Sequence, residues 1–417
     1  MTTALAPFAG AARAVLDPAH LRDALRPARA DTTLAAAARC AAAVALAILA
    51  CVAVGHRELS GFASLGALAS LYGRWEPYRR RAGLLATMGL VLVAVITLST
   101  VAAAEGVGGA GIGVLAALVA TGATFLCAAL GTGAPGATIV VFAVGAGFAG
   151  GPGLGDVPDR ALAAVVGAAF AWAVCCSGWL LYPAGPARVA VRRAARAVDA
   201  GSPRAGELVD RARDVLADDA SHARGTRATA PLVALVAELE TTLGRIPAPL
   251  PARRTVADTL RVELPRTDRR GLARVLGAGL VSGGLAAATG SHHGAWAVMG
   301  STATLQGTST AHSVTRALQR AAGTAVGALI AWPLLEAHLP FAAVAALVVV
   351  LQLVTEIVVM RHYGLAMLTI TPMALLMTSL GGISDPTGLA VDRVVGTALG
   401  AVVAVVALIV VPVAARD

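Results

Sequence analysis

Residues 291–327 read SHHGAWAVMGSTATLQGTSTAHSVTRALQRAAGTAVG, and their reading decides the fold. The apolar piece Ala295–Gln306 falls well short of the roughly 20 residues that a membrane-spanning helix needs. A polar stretch with Thr308, Ser309, Thr310 and His312 follows. Arg316 and Arg320 then stand one helical turn apart, ahead of a small-residue run through Gly323 and Gly327. Charge at membrane depth is costly, so two arginines at the mouth of a Gly-rich apolar helix need a reason. One reason is anchoring in cytoplasmic headgroups, where membrane proteins concentrate Arg. The other is an anion site, with guanidinium meeting carboxylate or phosphate bidentately. The sequence leaves both open.

Composition sets the class around this stretch. The mean hydropathy is +0.75. Hydrophobic residues make up 57% of the chain and charged residues 14%, which points to an all-α polytopic membrane protein rather than a soluble globule. A net charge of +9 would suggest nucleic acid in a soluble chain. Here the arginines cluster in loops between apolar runs, so the membrane accounts for the charge and no nucleic-acid partner is expected. There is no Lys, which biased codon usage explains. Cys40, Cys51, Cys127, Cys175 and Cys176 lie in or beside apolar runs, without metal-ligand spacing to His. They read as small buried side chains.

Residues 1–32 carry Arg13, Arg22, Arg26 and Arg29 but no long apolar core, so they read as a cytoplasmic segment with an amphipathic surface helix rather than a signal peptide. A first membrane half spans 33–183. Its runs are 33–55, a short 60–72, 82–104, 112–130, 137–150 and a last one ending at Tyr182. The basic loop RWEPYRRR, Arg74 to Arg81, belongs on the cytoplasmic side, and the Arg-free EGVGGAG loop from Glu105 suits the outside.

Residues 184–270 differ in kind. The stretch 184–272 holds 16 of the 33 Arg and 11 of the 24 Asp/Glu, which marks a cytoplasmic insert. Leu232, Leu235, Val236, Leu239 and Leu243 recur at helical spacing, and Pro247, Pro249 and Pro251 stop that helix. Another helix is expected from about Arg254 to Glu263. The insert reads as a small helical subdomain whose charges form a solvated face.

From 271 to 417 the first pattern starts again, with a short second segment at 295–306. Arg39 and Arg274 stand 235 residues apart, Arg80 and Arg320 stand 240 apart, and the Asp159–Arg160 and Asp392–Arg393 pairs stand 233 apart. A nearly constant offset argues for two homologous halves of about six hydrophobic helices each. An even number per half gives both the same orientation. They are then parallel repeats about an axis along the membrane normal, with a site expected at their junction. Gly323/Gly327 and Gly396/Gly400 are GxxxG spacings that suit close helix packing.

Two stretches carry a resemblance: GFASLGALASLYGRWEPYRRRAG in the first half, and HHGAWAVMGSTATL with TRALQRAAGTAVGALI in the second. The second holds a His-Gly-x-Trp motif and then Arg320, Gly323, Thr324 and Gly327 in an Arg-x-x-Gly-Thr-x-x-Gly helix. The chain resembles the fusaric-acid-resistance and aromatic-acid-exporter family, whose members have two membrane halves around a cytoplasmic helical insert. The resemblance implies export of aromatic carboxylic acids or similar amphipathic anions from the plasma membrane. It also implies kinship with plant malate-channel-like proteins. It covers nearly the whole chain, although this insert is small for the family.

An anion exporter needs fixed positive charge along its path and, if proton-driven, a titratable group. Arg81, Arg316, Arg320, Trp296 and Thr324 are the substrate-path candidates, with Arg160 and Arg393 as further fixed charges. His292, His293, Asp159, Asp392 and Glu356 are the proton-coupling candidates, each with a blander alternative. The His pair reads equally as a wet loop, Asp392 as a partner of Arg393, and Glu356 as an interfacial partner of Arg361. No HExxH, P-loop, GxSxG or metal-ligand spacing is present, so no enzyme, cofactor or metal is expected. The expected partners are the lipid bilayer and a small organic anion, with a homo-oligomer left open. A proton-coupled exporter is the leading reading; a passive anion channel and a non-transporting scaffold are the alternatives.

Overall fold

The computed structural model describes residues 15, 17–27, 34–220, 223–290, 294–307, 309–380 and 385–411. Among the described residues the chain is all-helical, without strands. A short α1 (Ala19–Leu25) precedes a first set of six: α2 (Leu34–Ala53), α3 (Ser60–Ala67), α4 (Tyr78–Ala104), α5 (Ala110–Leu130), α6 (Thr138–Gly147) and α7 (Asp156–Leu181). Four helices follow, α8 (Gly185–Asp199), α9 (Ala205–Asp219), α10 (Ala223–Thr242) and α11 (Val256–Glu263). A second set of six closes the chain: α12 (Arg269–Ala288), α13 (Gly294–Leu305), α14 (Thr310–Glu336), α15 (Phe341–Val358), α16 (Tyr363–Ser379) and α17 (Pro386–Val410).

Local chemistry sets several boundaries. Pro77 precedes α4 and Pro340 precedes α15, each extended at the position just before the helix. The Ser309 hydroxyl accepts from His312 N at 3.1 Å and starts α14. Asp385 accepts from Gly388 N at 2.8 Å, with Pro386 in the first helical position of α17. These caps correct the sequence reading in one respect. Arg80 and Arg81 were expected in the loop ahead of their span, whereas they lie inside α4, a helix of 27 residues.

Among the described residues, seven helices are long and apolar enough to cross a membrane: α2, α4, α5, α7, α12, α15 and α17. Leu98, Leu118, Leu162, Leu180, Leu329, Val402 and Val406 are exposed on the outer faces. Such broad apolar exposure needs lipid rather than water around it. The chain is a multi-pass membrane protein.

Helices of the same rank pack alike in the two sets. In the first, α2 lies on α3, α7 contacts α2, α3 and α4, and α6 contacts α4 and α5. In the second, α12 lies on α13, α17 contacts α12, α13 and α14, and α16 contacts α14 and α15. Between the sets, the first helix of each packs on the fourth of the other, α2 on α15 and α12 on α5. The short helices α3 and α13 are buried along their whole length. At about 1.5 Å per residue they reach only ~12 and ~18 Å. A hydrocarbon core is about 30 Å thick, so protein encloses them where lipid would leave their ends unsatisfied.

Glycine makes that enclosure tight at equivalent places. A Cβ at Gly167 of α7 would overlap the Ala63 carbonyl oxygen of α3. A Cβ at Gly400 of α17 would overlap the Ala297 carbonyl oxygen of α13. Gly323 and Gly327 similarly bring α14 onto α16, with added Cβ atoms standing 2.6 Å from Gly364 O and 2.8 Å from Met367 O.

Of the four central helices, α11 packs on the membrane helices through Val256 and Leu260, whereas α8, α9 and α10 share a small core of their own, built on Val191 of α8, Val209 and Leu216 of α9, and Val236 and Leu239 of α10. This core docks beside the start of α4. Asp218 Oδ1 accepts from Arg253 Nε at 2.9 Å, and Asp219 Oδ2 accepts from Ala187 N at 3.2 Å. Burial pushes the Asp219 carboxyl up to about 7, with Asp218 beside it adding to the rise. The charges of this unit are therefore not all on a solvated face. Near the N-terminus α1 lies on α14, where Gln319 Nε2 donates to Ala24 O at 2.9 Å.

Candidate functional site

A cavity of about 530 Å³ lies where both six-helix sets meet the central helices. The first set contributes Leu68 and Leu71 after α3, the Gly73–Glu76 turn, and Phe142 of α6. The second contributes Arg316 and Arg320 of α14, Gln352 to Glu356 on α15, Tyr363 and Met373 of α16, and Arg393 of α17. Arg193 of α8 and Arg211 of α9 complete the wall. The lining thus holds six guanidiniums and two carboxylates, Glu76 and Glu356, with an apolar surface between them.

The carboxylates are already engaged. Glu356 is ion-paired with Arg74, which ties α15 of the second set to the turn after α3 of the first. Glu76 accepts from Arg211 at 2.7 Å and pairs with Arg80 at 3.2 Å. Arg193 lies over the Trp75 ring, 3.9 Å from its centroid. On this side two carboxylates offset two of the three guanidiniums, and the third stacks on a ring.

The other side is different. Arg316 lies over the Tyr363 ring at 4.1 Å and donates through Nε to Ala303 O at 2.8 Å. Arg320 donates through Nη1 to the Tyr363 hydroxyl at 2.7 Å. Its Nε and Nη2, the side-on edge that grips a carboxylate with two parallel bonds, are buried without a partner. Arg393 lies over the Trp296 ring at 4.1 Å and reaches Met299 Sδ at 3.9 Å, with its Nε also unpartnered. Arg320 and Arg393 are each only 1% exposed. Among the described residues none of these three arginines has a carboxylate within ion-pair distance. A buried charge left in this state costs several kcal/mol unless an anion joins it.

The remaining sequence candidates fall as follows. Arg81 is buried outside the cavity lining and donates to the carbonyls of Gly73, Cys175, Arg74 and Glu76 at 2.7–3.4 Å. Trp296 supports Arg393 and stacks on Phe142, 5.6 Å between centroids. Thr324 is wholly buried on α14, behind the lining. Asp159 is exposed at the start of α7, and Asp392 is partly exposed next to Arg393. The expected Asp392–Arg393 bridge is not formed, because Arg393 turns inward onto Trp296. Glu356 pairs with Arg74 rather than Arg361. His292 and His293 lie outside the described residues. Gly396 and Gly400 hold α17 against α13, where a Cβ on Gly396 would stand 2.9 Å from Trp296 Cβ.

Residues 278–407 match the family described as fusaric acid resistance protein-like. The chain carries a domain of that family. No curated protein and no solved structure matches the chain. The fusaric acid resistance protein-like domain holds α13 to α16 whole and most of α12 and α17. All of Arg316, Arg320, Tyr363 and Arg393 therefore lie within it, while Arg74, Arg193 and Arg211 come from outside.

Sequence reasoning missed Tyr363, Gln352, Arg74, Arg193 and Arg211 as cavity residues. Tyr363 follows Arg361 and His362 and reads as a belt aromatic at a span edge. Gln352 is a lone polar residue in an apolar run, 1% exposed, with both amide atoms unpartnered. That isolation was the one signal available for it.

Proposed function

We propose that this protein is a secondary transporter that exports organic anions with an apolar or aromatic body, aromatic carboxylates foremost, across the plasma membrane. The observation that carries the reading is the unpartnered side-on edge of Arg320, a buried residue in the wall of a cavity that also presents Tyr363, Phe142 and Met373. A carboxylate fits the guanidinium edge, and a ring fits the apolar wall. The family match of the second set supports membrane transport as the general activity.

Two parallel repeats, 33–183 and 271–417, with a cytoplasmic insert at 184–270, account for the like packing of helices of equal rank. They also account for the site's position at the junction of the two sets. The basic turn before α4 and the insert then face the cytoplasm with both termini. Glu356 is the proton-coupling candidate that lines the cavity. Protonating it would release Arg74 to a bound anion and loosen a link between the two sets, which joins proton uptake to both binding and movement.

Proteoliposome efflux tests the reading. Aromatic carboxylates loaded inside should leave faster under an imposed pH gradient. Arg320→Ala should abolish that flux, and Glu356→Gln should leave flux that no longer answers to the gradient. Flux of the wild type that is indifferent to the gradient but lost in Arg320→Ala would mean a passive channel. Absence of flux for every anion, with folded protein confirmed, would point to a scaffold.

A further inference from the structure

We propose that the ligand of this cavity is a dianion whose two negative charges sit close together at one end of an apolar body. The inference rests on the anion reading above and narrows its substrate class. Charge counting carries it. Of the six guanidiniums in the wall, Arg74 is matched by Glu356 and Arg211 by Glu76. Arg193 keeps its charge and lies beside those pairs, over Trp75. Arg316, Arg320 and Arg393 gather about Tyr363 with no carboxylate among them. Arg393 lies within Coulombic reach of both Arg320 and Tyr363.

A single carboxylate on the side-on edge of Arg320 would offset one charge of three. It would leave Arg316 and Arg393 of the same wall without a counter-charge. A second anionic oxygen group next to the first offsets a second charge. Opposite charges at a few ångströms in a water-poor pocket interact far more strongly than in solvent, so the second group adds affinity rather than only solubility. The lining between the charges includes Ile139, Ile370 and Met373, which take a ring. The preferred ligand is therefore an aryl 1,2-dicarboxylate or an aryl phosphate, in preference to a simple aryl monocarboxylate.

Calorimetric titration of the purified full-length protein in detergent tests this with four probes: benzoate, phthalate, terephthalate and phenyl phosphate, at a pH where both phthalate carboxyls are ionised. Phthalate and phenyl phosphate should bind at least about tenfold more tightly than benzoate. Terephthalate, whose charges lie at opposite ends, should gain nothing over benzoate. Arg393→Gln should shrink the advantage of phthalate over benzoate from about tenfold to about threefold or less; Arg316→Gln serves if that variant fails to fold. Benzoate binding as tightly as phthalate, with Arg320→Ala abolishing both, would overturn the dianion and leave the anion site standing. A terephthalate advantage equal to that of phthalate would overturn the adjacent placement of the charges. No binding of any probe to folded wild type would overturn both readings.

Discussion

Arg160 and Arg393 are set 233 residues apart, each early in the last helix of its six-helix set. Arg160 stacks over Phe62 of α3 at 4.6 Å, and Arg393 over Trp296 of α13 at 4.1 Å. There the likeness ends. Arg160 donates to Gly147 O and Ala149 O, both at 3.0 Å, and so closes the C-terminal end of α6, where helical carbonyls lack partners of their own. Arg393 makes no such bond, and its Nε is buried without a partner. Arg81 and Arg320 differ in the same way. One is saturated by four carbonyls, and the other is held by a single tyrosine hydroxyl. Equivalent helices thus carry arginine in two states: bonded to backbone carbonyls in the first set, and short of partners in the second.

The sharpest way to break this comparison is to truncate one arginine of each kind. Arg320→Ala should lower anion affinity on the order of 10²-fold or more, since removing one partner of a buried charged contact costs about 2–5 kcal/mol. The thermal midpoint of ligand-free protein should hold or rise, because an uncompensated buried charge has gone. Arg81→Ala should do the reverse. It strands four buried carbonyls and should cost about 3 kcal/mol or more in stability. The protein that still folds should bind with wild-type affinity. Thermal unfolding in detergent and anion titration on the same samples separate the two. A crossed result, with Arg81→Ala stable and Arg320→Ala unfolded, would remove the distinction.

A second test asks how far the framework is shared. Gly167→Val and Gly400→Val each drive a side chain into a carbonyl oxygen of the enclosed short helix opposite. Overpacking of this kind costs about 1–3 kcal/mol, and more where backbone must move. The two variants should lose stability by similar amounts, measured by thermal unfolding. A large effect at Gly400 with none at Gly167 would mean that the two sets are not built alike.

The all-helical membrane fold was legible because apolar run length and Pro/Gly punctuation speak directly to a bilayer. The short segments at 60–72 and 295–306 were visible for the same reason. Periodicity also exposed the helix around Leu232–Leu243. The arginine cluster was only half legible. Arg316 and Arg320 stand out as charge beside glycine, but charge alone does not say whether a guanidinium faces headgroups, carbonyls or a cavity. Arg81 and Arg320 look alike in sequence and part only in their acceptors, which are backbone oxygens from distant helices. Tyr363, Arg74 and Arg193 were illegible because their roles depend on contacts between separate elements, as with Arg74 meeting Glu356 across 282 residues.

The central helices extend the contrast to a contact that titrates. Asp219 is 1% exposed, accepts from Ala187 N, and has its carboxyl raised from 3.8 to about 7, chiefly by burial and then by Asp218. Arg81 lies on the α4 side, and Arg253 pairs with the neighbouring Asp218. Raising an acid's affinity for protons in the folded state means that the folded state holds more protons than the unfolded one between those two values. Stability contributed by neutral Asp219 is therefore complete below about 4, is lost progressively as pH rises, and is gone above about 7. Docking of α8 and α9 beside α4 should weaken across that window, by no more than about 1.4 kcal/mol per pH unit. Asp219→Asn keeps an oxygen for Ala187 N but cannot ionise, so its profile should be flat there. Amide exchange in the first turn of α8, corrected for intrinsic rates, reads the difference. An unchanged slope in Asp219→Asn would assign the pH response to another group. If the slope does vanish, the unit that supplies Arg193 and Arg211 to the cavity is held down most firmly at acidic pH.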